Sequence, residues 1–245
     1  VRSRGLGDVY KRQFEGSSMI AQSFKDQDQA SYDYSTQAQS GRQAIMSFRP
    51  DGSLMNLAGP TEADVHWQTL GNALSKIARF NGIYSCLAYS VAQHSVMGAD
   101  ALINETGDPV LAGYFLLHDA HEAWIGDHSR PATELLADAL FRMHGLPVHW
   151  VHNAVNEIKA RLDQPIYHKA GLTPVLPQIV RDMDERMLQA ETLALFGPTG
   201  YRNLAGRKMP MPKLTGAIKP WGALKAEEQW LERLSRFLGI DWRAA

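Results

Sequence analysis

The chain of 245 residues is long enough to bury a full hydrophobic core, as one large domain or two small ones. Its 25 Lys and Arg nearly balance 26 Asp and Glu, so a net charge of -1 excludes any general electrostatic pull toward nucleic acid or an anionic membrane. A single cysteine, Cys86, excludes an intramolecular disulfide framework and fits a reducing compartment.

No apolar run approaches the roughly 18–20 residues of a membrane span, and no charged-then-apolar leader opens the chain. A soluble, cytoplasmic protein is the expectation. Residues 1–43 stand apart. From Ala21 to Gln43 the run is rich in Gln, Ser, Asp, Lys and Tyr and poor in aliphatics, a composition that suits a disordered segment. The stretch from Val1 to Gln13 resembles translated sequencing-adapter sequence, which would make the segment partly artefactual and Met19 the expected start. The folded domain is expected over 44–245.

Ile45 to Leu57 reads as a small β-hairpin around Pro50-Asp51-Gly52, where Pro presets φ and Gly accepts a positive φ. From Gly59 onward the periodicity is helical. Thr61 or Asp64 can cap a helix running to about Phe80, and a second is expected from near Ser85 to about Asn104. A third starts at Gly107-Asp108-Pro109 and ends near Gly126. Further helices are expected at about 132–143, 148–163, 175–196 and 225–238, with a Gly/Pro/Lys-rich loop from Gly197 to Lys225. The expected fold class is all-α with a small N-terminal β-hairpin.

The chemistry centres on Leu116-Leu117-His118-Asp119-Ala120-His121-Glu122-Ala123-Trp124-Ile125-Gly126-Asp127. On a continuous helix His118 and Glu122, four apart, share a face with Asp119 beside them. A buried His–Asp pair needs a partner, because unpaired buried polar groups cost several kcal/mol. A divalent cation would serve; an exposed polar face would need none. His94 lies on a largely apolar helix and Asp184 on another, and each alone would pass for a core histidine or a surface charge. Together, two imidazoles and two carboxylates suit Mn²⁺, Fe²⁺, Co²⁺, Ni²⁺ or Zn²⁺.

Ser90-Val91-Ala92-Gln93-His94-Ser95, then Leu117-His118-Asp119-Ala120-His121-Glu122-Ala123, then Asp184 resemble the HD-domain metal-dependent phosphohydrolases. Within them the chain is most similar to the branch of bacterial 5′-deoxynucleotidases and their phage and prophage relatives. Arg79-Phe80 resembles that branch's arginine-plus-aromatic motif, and Met187, Leu188 and Glu191 after Asp184 resemble its last ligand helix. The resemblance spans about residues 45–240 and implies an HD-type helical bundle. It also implies one divalent metal ion (Mn, Co, Fe, Ni, Zn or Mg) held by His94, His118, Asp119 and Asp184. Asp182 competes with Asp184 for the last position.

The implied activity is hydrolysis of a (deoxy)nucleoside 5′-monophosphate to nucleoside and phosphate, with a nucleotide as the small-molecule partner and no nucleic-acid polymer or membrane. Glu122 would handle the proton, assisted by Asp127; Arg79 would grip phosphate through two parallel N–H bonds, and Phe80 would lie beside sugar or base. Asp127 as a plain turn residue and Phe80 as core remain the alternatives. His121 and His128 add imidazoles near the pair, but one metal is expected. The other histidines are read as structural or exposed. Relatives imply a homodimer. Competing functions are an HD phosphohydrolase acting on cyclic nucleotides, triphosphates or guanosine polyphosphates, and a non-catalytic nucleotide sensor.

Overall fold

The computed structural model describes residues 44–204, 206 and 208–243, so the reading of residues 1–43 lies outside the described residues. The described chain is mostly helical with one small antiparallel hairpin, as expected from its periodicity. Strands β1 (Met46–Phe48) and β2 (Leu54–Asn56) pair with Ser47 opposite Met55. Their turn is closed by Gly52 N–H donating to the Arg49 carbonyl at 2.9 Å, with Gly52 at φ 82°. That positive φ is where glycine is needed.

The helix expected from Thr61 to Phe80 is interrupted twice. A 3₁₀ turn at Glu62–Asp64 is held by the Asp64 carboxylate, which accepts from the Thr61 N–H and hydroxyl at 2.8 and 2.9 Å. Helix α1 then runs only from Trp67 to Leu74. Beyond it the backbone pairs across a loop, Arg79 N–H donating to the Tyr89 carbonyl at 2.9 Å and Val91 N–H to the Ile77 carbonyl at 3.0 Å. Between them Phe80 and Asn81 take positive φ, a conformation no helix tolerates.

Helix α2 (Val91–Thr106) starts later than expected, where the Ser90 hydroxyl caps the Gln93 N–H. Helix α3 (Pro109–Leu117) is capped by Asp108 and carries Pro at its first position. A short α4 (Glu122–Ile125) follows, then α5 (Arg130–His144), α6 (Val148–Lys169), α7 (Gln178–Asn203) and α8 (Ala223–Leu238). Gly197-Pro198, expected to open a loop, only kinks α7, with Gly197 at φ 70°.

Two compact units result. One comprises residues 45–129 and 158–245; of the other, Ala44 and residues 130–157 are described. In the smaller, Thr133, Ala137 and Val151 are buried and His152 faces Glu134 at 3.3 Å. The larger holds the core and every candidate site residue. Its centre is α2, buried without interruption from Val91 to Leu102, packed on α3, buried from Ala112 to Leu117. Burial on all sides explains why neither shows a polar face. Gly98 allows the close approach, since a Cβ there would meet the Phe115 ring at 2.0 Å. Helix α8 lays Ala226, Trp230, Leu231, Leu234 and Phe237 over α1, α2 and α3, and Arg233 on it binds the buried Asp100 of α2 at 2.9 and 3.2 Å. Among the described residues no helix is long and apolar enough to cross a membrane.

Candidate metal centre

The site begins where α3 stops. A helix continuous through Gly126 would bond each N–H to the carbonyl four residues back. Instead Ala120 N–H donates to Leu117, Glu122 N–H to Asp119, and Trp124 N–H to His121, all at 3.0 Å and all three residues back. The segment is tightened to three residues per turn, so residues three apart eclipse. Glu122 therefore stacks over Asp119 rather than over His118, which corrects the shared face expected for His118 and Glu122. The carbonyls released by the break are recaptured. Leu116 O accepts Trp230 Nε1–H at 3.2 Å, and Phe115 O accepts His118 Nδ1–H at 2.6 Å.

That last bond fixes a tautomer. A carbonyl only accepts, so His118 Nδ1 carries a hydrogen and Nε2 is the atom left to face the cluster. His94 is fixed likewise, its Nδ1 lying 2.5 Å from Oε1 of the fully buried Glu191. The two Nε2 atoms then face each other at 3.4 Å. Asp184 Oδ1 lies 3.2 Å from His94 Nε2 and 3.7 Å from His118 Nε2, and Asp119 Oδ2 lies 3.8 and 3.2 Å from the same atoms. Two imidazole Nε2 atoms with two carboxylate oxygens, each oxygen within 3.8 Å of both, are a donor set that a divalent cation fits. His94, His118 and Asp184 offer ligand atoms all within 4.8 Å of one another. Asp184 keeps 40 % of its side chain exposed, so the cluster opens to solvent there. Asp182, the competing choice, accepts from Gln178 at 2.8 Å on an exposed surface instead.

The imidazoles, the acids and Arg79 shift one another's charge. Burial opposes a charged His118, but the neighbouring Asp119 and Asp184 outweigh it and hold its pKa well above the usual imidazole value. Burial and Arg79 oppose a charge on His94, yet Glu191 and Asp184 raise it. Against the cost of burial, His118 pulls Asp119 down, and the two imidazoles pull Asp184 well below the carboxylate range. Arg79 is tied in by all three acids. Its Nε donates to Glu191 at 3.2 Å and its Nη1 to Asp119 at 3.3 Å, while Nη2 lies 4.0 Å from Asp184. The guanidinium is anchored through Nε and turns its forked end to the cluster.

Phe80, next to it, sits at φ 54°, which for a bulky residue costs on the order of 1–3 kcal/mol. Its ring meets Phe196 edge-on at 5.3 Å. Glu122 is buried, and burial together with the charges of Asp119 and Asp127 pushes its pKa up to about 9. Asp127, after Gly126 ends α4, is raised by burial and by Asp119 against the pull of Arg79 and Lys159.

The structure thus brings His94, His118, Asp119, Asp184 and Arg79 together, with Glu122 alongside. His128 is exposed and belongs to neither ligand cluster, as are His144, His149 and His168. Glu191 and Asp163 were missed as site residues. Glu191 stood in the sequence as part of the last helix motif, and its place on the stripe of Val180, Met183, Asp184, Met187 and Leu188 was the available signal. No protein-family model matches the sequence, and no curated protein matches it.

Proposed function

We propose that the chain is a metal-dependent phosphomonoester hydrolase of the HD-domain type, releasing phosphate from (deoxy)nucleoside 5′-monophosphates. The observation that supports it most is the convergence of His94 Nε2, His118 Nε2, Asp119 Oδ2 and Asp184 Oδ1 beside the forked end of Arg79. The nucleotide part of the reading rests on the resemblance of the motifs.

A divalent cation bound by the four ligands would lower the pKa of a water and polarise a phosphoryl oxygen. The chain's own groups do the rest. Glu191 holds His94 in the tautomer that exposes Nε2, and the Phe115 carbonyl does so for His118. Glu191 also fixes Arg79 through Nε, and the N–H groups of Nη1 and Nη2 not engaged by Asp119 would take two phosphoryl oxygens in a bidentate grip that lysine could not reproduce. Glu122, protonated near neutrality, can give its proton to the leaving sugar oxygen as the P–O bond breaks. Asp127 has the same bias and lies past the end of α4. Phe80 lies beside Arg79, its ring 5.9 Å from the guanidinium carbon, and packs on the hydrophobic core; a contact with sugar or base rests on the motif resemblance.

Phosphate release from 5′-mono-, 3′-mono-, cyclic and triphosphate nucleotides, each with Mn²⁺, Co²⁺ or Mg²⁺, tests the reading. Selective release from 5′-monophosphates is expected. Preference for a cyclic or polyphosphorylated nucleotide would move the chain to another HD activity, and binding without turnover would make it a sensor.

A further inference from the structure

Beside the four-ligand cluster lies a second group that the proposed reaction leaves half used. The three-residue turn places ligand atoms of Asp119, His121 and Glu122 within 4.8 Å of one another. His121 and Glu122 are only 2 % and 4 % exposed, yet His121 Nε2 and Glu122 Oε2 have no hydrogen-bond partner among the described residues. Each such orphan costs about 1–3 kcal/mol. Two of them, adjacent in the chain and on residues of one three-residue cluster, call for a shared ligand.

His121 is also prepared for it. Its Nδ1 lies 2.9 Å from Asp163 Oδ1, and a carboxylate only accepts, so the ring hydrogen sits on Nδ1 and the Nε2 lone pair is presented inward. A carboxylate steering the far nitrogen of an imidazole is the arrangement that supports metal-binding histidines. Asp119 uses Oδ2 toward His118 and Arg79, leaving Oδ1 for a bridge.

We propose that Asp119, His121 and Glu122 form a second divalent-cation site that shares Asp119 with the first. One imidazole and two carboxylates suit Mn²⁺, Fe²⁺, Co²⁺ or Zn²⁺, with water completing the shell. Filling the site makes Glu122 a ligand, so with two cations bound the proton-donor role falls to Asp127; that consequence alone rests on the hydrolase reading.

The test uses the full chain and Mn²⁺ alone, by equilibrium dialysis with elemental analysis and by electron paramagnetic resonance. At saturation about two Mn²⁺ per chain are expected, with the exchange-coupled spectrum of a bridged pair. His121→Gln should hold about one, with the six-line spectrum of an isolated ion. Asp163→Asn should weaken the second ion about 10–100-fold and leave the first unchanged. Circular dichroism of each variant separates site loss from misfolding. One Mn²⁺ per wild-type chain would overturn the site, since a buried water would then satisfy the two atoms. So would two ions retained by a folded His121→Gln. Because binding is read without substrate, one ion with full nucleotide hydrolysis removes only the second site, and two ions without hydrolysis remove only the proposed activity.

Discussion

Glu191 Oε1 lies 2.5 Å from His94 Nδ1, and both side chains are fully buried. The same carboxylate receives the Tyr89 hydroxyl at 3.0 Å and, through Oε2, Arg79 Nε at 3.2 Å. One acid therefore sets the tautomer of His94, a candidate metal ligand, and the orientation of Arg79. Despite its burial its pKa is lowered by Arg79 and His94, so it stays ionised.

Glu191→Gln keeps the shape but can no longer serve as a charged acceptor to both partners. It should weaken Mn²⁺ binding about 10–100-fold by calorimetry while the fold is retained. Glu191→Ala, which takes the fully buried acid from both Arg79 and His94, should cost about 3–5 kcal/mol of stability in denaturant unfolding. Unchanged metal affinity in Glu191→Gln would show that the acid only fills space.

Asp184 and Asp182 separate cleanly. Asp184→Asn removes an anionic ligand from the cluster and should abolish stoichiometric binding at the first site, whereas Asp182→Asn, on the exposed surface with Gln178, should bind metal as the parent does. Dialysis with elemental analysis decides it, and the reverse outcome would reassign the last ligand.

The general layout was legible before the structure. The helices and the hairpin turn follow from periodicity and turn chemistry, and the candidate ligands His94, His118, Asp119 and Asp184, drawn from the motif resemblance, lie together in the structure. What could not be read was the break at His118. Leu116 through Ile125 looks like uninterrupted helix because its apolar residues fit that period. The break is held by Trp230, more than a hundred residues away in sequence, whose indole takes the Leu116 carbonyl. The strained loop at Phe80 is likewise set by distant pairing of Ala78 with Ser90. Tertiary hydrogen bonds overrode local pattern in both places, and with the first went the expectation that Glu122 faces His118.

Trp230→Phe tests that break. It leaves the Leu116 carbonyl buried without its donor, so stability should fall by about 1–3 kcal/mol. Because His118 is the first residue past the break, metal affinity should fall with it. Equal affinity in the destabilised variant would show that the indole supports the core alone.

Charge at Glu122 gives a pH signature in chelator-treated protein. Its folded pKa is raised from 4.5 to about 9, so between those values the folded chain holds a proton that the unfolded chain has lost. Stability from this group therefore falls as pH rises across that window. Glu122→Gln should flatten the fall and be the more stable variant near about pH 8, by on the order of 1 kcal/mol, in denaturant unfolding. Parallel pH curves for the two proteins would contradict the assignment.

Metal binding should show the opposite trend. His94 and His118 are both raised by their carboxylate neighbours and have to lose protons to bind a cation. Affinity for Mn²⁺ should rise with pH, with proton release visible in calorimetry across buffers of different ionisation enthalpy.

The most direct measurement is phosphate release from deoxynucleoside 5′-monophosphates by the chelated chain, before and after Mn²⁺ or Co²⁺ is returned. Release is expected only with the metal restored, and not from Asp184→Asn under the same conditions. Full turnover by the metal-free protein, or by Asp184→Asn, would contradict a hydrolase built on His94, His118, Asp119 and Asp184.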